Sequence, residues 1–284
     1  MSESRWVSSL LGHRQLETAL VCLGSLLRLS AEPLALRLHD DGTLTERDRE
    51  RLEAELGRVH LISREEADDR VASLLAHRPA LRAYRRDHPL ALKLIDTVLV
   101  AGEELAYCDS DILFLRPFSG LFRPGREGEA VFMSDRQNAY SARSWHLLAH
   151  HRLRLPRKVN SGVVVYRTGA YDPDLLEWYL SRPEFLFAPV WVEQTAWALL
   201  GWRTGCRLLD PSQVAFPDPG GQAGVEVVAL HFVSPLRSLL PQYAAFAPVS
   251  GSPTEIRTVP ARRCRAGDMA ATEARRWLKR RLQG

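Results

Sequence analysis

The chain has 284 residues, 45% of them hydrophobic and 25% charged, with 18 Gly and 17 Pro, proportions that exclude collagen-like and wholly disordered classes. At this length about 75% of the unfolded surface can be buried, so the chain needs no staples and fits one large α/β domain. The net charge of +4 sits at the C-terminal end: residues 255–284 carry nine Arg or Lys against three acids and the rest sums to −2, which argues against a nucleic-acid surface over the main body.

The best apolar run, residues 19–27, holds Gly24 and Ser25 and lies between Glu17 and Arg28; spanning a bilayer takes about 20 apolar residues. The start of the chain lacks the basic, apolar and small-residue order of a secretory signal. Cys22, Cys108, Cys206 and Cys264 are never closer than 58 positions and form no Cys-x-x-Cys pair. Reduced, buried thiols in a cytoplasmic protein are therefore expected.

Along the chain, residues 15–29 place Leu16, Ala19, Leu20, Leu23 and Leu27 at helical spacing. Residues 34–39 alternate and predict a strand closed by Asp40-Asp41-Gly42. Thr45 reads as the N-cap of a charged helix running through 49–56, and 59–62 as a short strand. Residues 89–100 predict a helix with Leu92, Ile95 and Leu99 on one stripe, followed by a strand over 104–108 that stops at Asp109. Further strands are expected at 130–133, 159–166 and 225–232, and helices at 173–180 and 191–200. This alternation predicts a mostly parallel sheet flanked by helices, whose ligands bind at the carboxyl ends of the strands.

The chemistry centres on Tyr107-Cys108-Asp109-Ser110-Asp111. Two carboxylates two apart at a strand exit can converge on one hard cation such as Mg²⁺ or Mn²⁺, whose remaining positions suit phosphate oxygens. The alternative is a turn with two solvated aspartates. Leu113 stands where an Asp-x-Asp-x-Thr phosphatase has its threonine, and no Gly-x-Ser-x-Gly elbow is present. His146, His150 and His151 contain an i, i+4 pair without a third ligand or a nearby Glu, and read as a solvated or acceptor-side segment. The stretch 217–221 is turn-rich and lacks the Gly-Lys-Ser/Thr of a phosphate cradle.

Five anchors in order resemble the GT-A glycosyltransferases, and within them glycosyltransferase family 8 and related families. They are Lys93 on the helix before the strand, Asp109-Ser110-Asp111, Asn160-Ser161-Gly162-Val163, Glu193-Gln194-Thr195, and Leu230-His231-Phe232. The resemblance runs from the first helix to about Leu240. It implies a Rossmann-like GT-A domain over 1–254, with 255–284 a basic helical tail. It also implies metal ligation by Asp109, Asp111 and His231, and donor contacts from Lys93, Ser110, Asn160, Ser161 and Gly162. Glu193 and Gln194 would lie at the anomeric carbon as catalytic residues. Asp135, after the strand at 130–133, is a further sugar-contact candidate.

Three departures stand out. Arg237 replaces the usual diphosphate lysine after the His-Phe pair, Glu193 replaces an Asp, and residues 6–11 carry no base-binding pattern. The implied activity is metal-dependent transfer from a nucleoside-diphosphate sugar, UDP expected ahead of GDP, to a saccharide, lipid-linked or protein acceptor, with retention. A nucleotidyltransferase, a nucleotide-sugar hydrolase and a decayed binding module are the alternatives. The polar excursion at 136–157 is expected to help form the acceptor site. Basic residues around Trp277, Leu278 and Leu282 suggest either a solvated helix end or contact with an anionic membrane surface.

Overall fold

The computed structural model describes residues 4–220, 223–245 and 250–283. Its first half is a run of strand–helix units: β1 (Arg5–Leu11), α1 (Leu16–Leu29), β2 (Leu34–Asp40), α2 (Glu46–Leu56) and β3 (Val59–Ile62). β1 pairs in parallel with β2 from Arg5↔Leu34 to Leu11↔Asp40, and β2 with β3. α2 begins at a reciprocal cap in which Thr45 Oγ1 accepts from Asp48 N–H at 3.2 Å and Asp48 accepts from Thr45 N–H at 2.8 Å, satisfying two donors that a helix start leaves open. α3 (Arg64–Leu75), α4 (Pro79–Asp87) and α5 (Leu90–Leu99) then lead into β4 (Glu104–Cys108), which pairs in parallel with β1 at Ser8↔Tyr107.

After β4 the chain turns into β5 (Ile112–Phe114), β6 (Phe118–Ser119) and β7 (Ala130–Ser134), then α6 (Ser144–Ala149) and β8 (Val159–Arg167). β8 lies between β4 and β7 and is antiparallel to both. α7 (Pro173–Leu180), α8 (Val192–Thr204) and β9 (Cys206–Leu209) follow, with β9 parallel to β7. Two short strands, β10 (Val214–Ala215) and β11 (Ala229–His231), join β5 in a small separate sheet; α9 (Leu240–Ala244) and β12 (Thr254–Glu255) come next. β13 (Thr258–Pro260) closes the main sheet as an antiparallel edge on β9, and α10 (Ala266–Gln283) ends the chain. The eight-stranded order is β13-β9-β7-β8-β4-β1-β2-β3.

Side chains alternate across each strand, so this sheet has two cores. Leu105 and Tyr107 of β4, with Val164 and Tyr166 of β8, face α5, α7 and α8, where Ile95, Tyr179 and Trp197 are buried. Ala106, Cys108, Val163 and Val165 face α1 and the small sheet, with Leu23, Leu26 and Phe114. All four cysteines are buried and unpaired. Among the described residues no helix is long and apolar enough to cross a membrane.

The strand expected over 225–232 is shorter than its composition implies. Val227 N–H bonds to Gly224 O at 3.0 Å in a turn and Val225 is 86% exposed, so only Ala229–His231 pair. Val225 and Val227 belong to this turn, whereas Val228 is buried and its backbone bonds to Gln213 O and Leu115 N–H. The loop expected at 217–221 is described only as far as Gly220.

Candidate active site

The carboxyl ends of β1, β2, β4, β7 and β9 share one edge of the sheet with the amino end of antiparallel β8. Backbone bonds fix the central residues there. Asp109 N–H donates to Gly162 O at 2.7 Å, and Ile112 N–H closes a turn on Asp109 O at 3.3 Å. β5 then pairs with β11 so that His231 stands opposite Ile112, and Phe232 N–H donates to Asp111 O at 2.9 Å. The pairing of two short strands thus brings His231 to the two aspartates.

Ligand atoms of Asp109, Asp111 and His231 all lie within 4.8 Å of one another. His231 Nε2 is 3.1 Å from Asp111 Oδ1 and 3.5 Å from Asp109 Oδ2. On its other side His231 Nδ1 is 3.2 Å from Asn160 Oδ1, which also accepts from Gly162 N–H at 2.9 Å. An amide oxygen held as an acceptor places the neutral imidazole's hydrogen on Nδ1 and turns the Nε2 lone pair toward the carboxylates, the arrangement of a metal-binding histidine. Two carboxylates and one imidazole fit a divalent ion of the Mg²⁺/Mn²⁺ kind. Burial opposes charge on His231, but Asp111 and then Asp109 hold its pKa above the ordinary value. Burial likewise works against ionised Asp111, and His231 and Arg237 overcome it, keeping that carboxyl below the usual range.

Two cations flank this group. Lys93, 2% exposed on α5, donates to Asp109 Oδ1 and Oδ2 at 3.0 and 3.1 Å and to Ser161 Oγ at 3.2 Å. Arg237, in the turn after β11, donates twice to Asp111 Oδ2, at 2.9 and 3.2 Å. Tyr107 adds a hydroxyl donor to Asp109 Oδ1 at 2.9 Å. Lysine suits the first position because a compact ammonium fits among three oxygens in a tight space, where a guanidinium fork would not.

Glu193 is 4% exposed at the start of α8. Its Oε2 accepts from Ser161 Oγ at 2.9 Å, while Oε1 has no hydrogen-bond partner and only the Lys93 ammonium at 3.6 Å. Burial, with Asp109 adding to it, pushes this carboxyl above its ordinary pKa despite Lys93. Gln194 receives a hydrogen bond from Asn160 Nδ2 at 3.1 Å and donates to Ala139 O at 2.8 Å. Asp135 stands beside them, 3.4 Å from Asn160 Nδ2 and 3.5 Å from Gln194 Nε2. Burial raises its pKa also.

A cavity of about 620 Å³ opens on this assembly. Lys93, Asp109, Asp111, Asp135, Asn160, Ser161, Glu193, Gln194, His231 and Arg237 all reach it. Of the residues expected at the site, Ser110 and Gly162 do not line it: Ser110 is buried, and Gly162 lies behind His231. Sequence reading also missed three members. Tyr107 was legible only as the residue two before the first aspartate. Phe216, whose ring stacks on His231 at 5.7 Å and 20°, and Trp191 at the cavity mouth carry no motif. His146 is buried, with its Nδ1 accepting from Arg143 N–H and its ring edge-on to Phe185; it joins no metal-ligand group among the described residues.

Solved structures share this architecture. Mouse xyloside xylosyltransferase 1, in its apo form, superposes with a TM-score of 0.58 over 83% of this chain and 99% of its own, at 13% identity. The fold is that of the GT-A glycosyltransferases. The glycosyltransferase GlyE of Streptococcus pneumoniae TIGR4 superposes on the same GT-A frame with a TM-score of 0.51, over 86% of this chain and 61% of its own, at 14% identity. No protein-family model matches the sequence, and no curated protein matches it. A GT-A frame at such identities establishes architecture; chemistry has to come from the residues at its edge.

Proposed function

We propose that the protein is a metal-dependent glycosyltransferase that moves a sugar from a nucleoside-diphosphate donor to an acceptor hydroxyl. The observation that carries this reading is the convergence of Asp109, Asp111 and His231 between two cations, Lys93 and Arg237, at the ligand-binding edge of a GT-A sheet. Asp109, Asp111 and His231 would hold Mn²⁺ or Mg²⁺, which when bound supplies Lewis-acid stabilisation of the departing diphosphate. UDP is the expected nucleotide ahead of GDP.

The chain's own groups do the rest. Arg237 is half-exposed, and its fork can exchange Asp111 for phosphate oxygens, a geometry guanidinium suits. Lys93 stays buried and provides a fixed positive charge beside the leaving group, effective because water is excluded around it. Ser161 holds one oxygen of Glu193, so the unpartnered Oε1 is aimed and ready to accept a hydrogen bond from a sugar hydroxyl. Gln194 and Asn160 brace each other and orient the sugar from the far side. We propose retention of anomeric configuration, with Glu193 and Gln194 at the reacting carbon and no separate base required.

The deciding measurement is a thermal-shift and calorimetric series with UDP, GDP and their sugars, with and without Mn²⁺. Ligands stabilise the folded state by mass action, so metal-dependent stabilisation by a nucleoside diphosphate is expected. Release of that diphosphate only when an acceptor is present separates transfer from hydrolysis. NMR of the first-formed anomeric proton reads the stereochemistry, and an inverted product would remove the retaining mechanism.

A further inference from the structure

A second cavity of about 430 Å³ adjoins the first, and Asp135, Arg136 and Phe216 line both. Phe216 is the aromatic residue common to the two linings. One face of its ring stacks on His231, and the Arg136 guanidinium carbon sits 5.5 Å from its centroid. Arg136 Nη2 donates to the carbonyls of Phe216 and Pro217, both at 3.0 Å, which pins the side chain without neutralising it. Among the described residues Arg136 has no ion-pair partner.

Lys158 lines the second cavity and is also without an ion-pair partner among the described residues. Among the described residues it is the non-glycine residue with positive φ, at 56°, and it is exposed. Two bonds fix that backbone: Asp135 N–H donates to Lys158 O at 2.6 Å, and Lys158 N–H donates to Asn138 Oδ1 at 3.1 Å. A left-handed conformation is tolerated better by Gly or Asn than by Lys, so a lysine here sits at a conformational cost. The chain otherwise has lysine only at Lys93 and Lys279. Asp135, the carboxylate of the lining, is already engaged by Gln137 N–H at 3.1 Å and by Asn160 and Gln194. The second cavity therefore holds two cations without ion-pair partners among the described residues, and it shares a wall with the cavity that opens on Asp109, Asp111 and His231.

We infer that this adjoining cavity receives an anionic group of the acceptor, a carboxylate or a phosphate, held by Lys158 and Arg136 beside Phe216. The inference rests on the glycosyltransferase reading and adds the acceptor's chemical class. It makes Lys158 a specificity residue remote from the metal group.

The test titrates the full-length protein with methyl β-glucoside, methyl β-glucuronide and glucose 6-phosphate at low and high ionic strength, and separately with UDP in the presence of Mn²⁺. At least one charged probe is expected to bind tenfold or more tightly than the neutral one, with the advantage shrinking in high salt. Which charged probe binds tells carboxylate from phosphate. Lys158→Asn, which suits the left-handed backbone, is expected to erase most of the advantage while leaving UDP affinity unchanged. Equal affinity for charged and neutral probes, no binding by any of the three, or a preference that survives Lys158→Asn would overturn the proposal. Anion preference without Mn²⁺-dependent UDP binding would keep this site and remove the glycosyltransferase reading. UDP binding without anion preference would do the reverse.

Discussion

Gly162 and His231 are packed so closely that a Cβ built on the glycine would lie 2.5 Å from the imidazole Cε1 and 2.6 Å from Nδ1. The glycine of the Asn-x-Gly-Val strand therefore makes room for His231, the histidine proposed to bind the metal, and does not line the cavity itself. Gly162→Ala is expected to displace the ring from Asn160 and weaken Mn²⁺-dependent nucleotide binding by about 10- to 100-fold, the usual effect of disturbing a residue behind a metal ligand. Calorimetry on the variant checks this; unchanged affinity would show that His231 has room to shift.

Asp109→Asn and Asp111→Asn should each abolish metal-dependent nucleotide binding. The amide is the better probe at position 109, because alanine would leave the buried Lys93 ammonium with only Ser161 Oγ and the more distant Glu193, and destabilise the fold by about 1–3 kcal/mol. Circular dichroism and melting should show both Asn variants folded. Wild-type Mn²⁺-dependent affinity in both would remove the metal assignment.

The buried pair of Arg85 and Asp96 ties α4 to α5, the helix that carries Lys93. Arg85 Nε and Nη2 donate to the two Asp96 oxygens at 2.8 and 2.7 Å, and the side chains are 7% and 3% exposed. Breaking one partner of such a pair costs about 3–5 kcal/mol, whereas replacing both with apolar residues is often close to neutral. Urea denaturation should therefore rank Asp96→Ala well below the Arg85→Met/Asp96→Leu double variant. The opposite ranking would mean that the pair itself stabilises the helices.

His39 on β2 is 2% exposed and neither ring nitrogen has a partner among the described residues. Burial first, then the charges of Arg37 and Arg70, push its pKa down to about 3. The folded protein thus keeps His39 neutral while the unfolded chain protonates it below its ordinary value of 6.5. Stability is full above that value and falls as pH drops toward 3, by up to about 1.4 kcal/mol per pH unit. Between pH 7 and 5 this one group is expected to cost about 2 kcal/mol, a loss that His39→Leu should abolish. Parallel pH dependence in the two proteins would show that His39 titrates normally.

The exposed end of α10 carries Lys279, Arg280 and Arg281 beside Trp277, Leu278 and Leu282, the last of these 86% exposed. If the helix end touches anionic bilayers, co-sedimentation with phosphatidylserine liposomes should disappear on charge reversal at these three positions and in high salt. Point variants are preferable to truncation because the other half of α10 is docked, with Met269 1% exposed and Asn138 Nδ2 donating to Thr272 Oγ1 at 3.3 Å. Equal sedimentation with neutral lipid would reject a charge-driven contact.

Much of the frame was legible. The limits expected for α1, β2, α5, β4, α7 and β8 stand within a residue or two of those observed, because the helices bury apolar stripes and β4 and β8 send alternate side chains into the two cores. The small β10–β11–β5 sheet was not legible as such, since strands of two or three residues carry no period. The Asp-x-Asp and His-Phe segments could be read as ligands from residue type and order, but nothing local announced Phe216 or Lys158. Their roles come from long-range packing, and a positive φ at a lysine leaves no compositional trace.

The wall on the Asn160 and Gln194 side of the cavity is assembled differently from the metal side. Arg276 of α10 stacks 4.0 Å over the Trp191 ring and bonds to Gln137, while Glu273 accepts from Ser144 N–H and Oγ of α6. These segments lie far apart in sequence and grip one another, whereas Asp109, Asp111 and His231 hang on strand ends and core backbone bonds. Asn160 joins the two sides through Gln194 and His231, but the grip between α6 and α10 bonds to neither Asp109 nor Asp111. A lineage, or an engineer, could reshape the Trp191 and Gln137 side of the cavity by trading residues among α6, the turn before α8 and α10. The backbone bonds that set Asp109 and His231 would carry through intact.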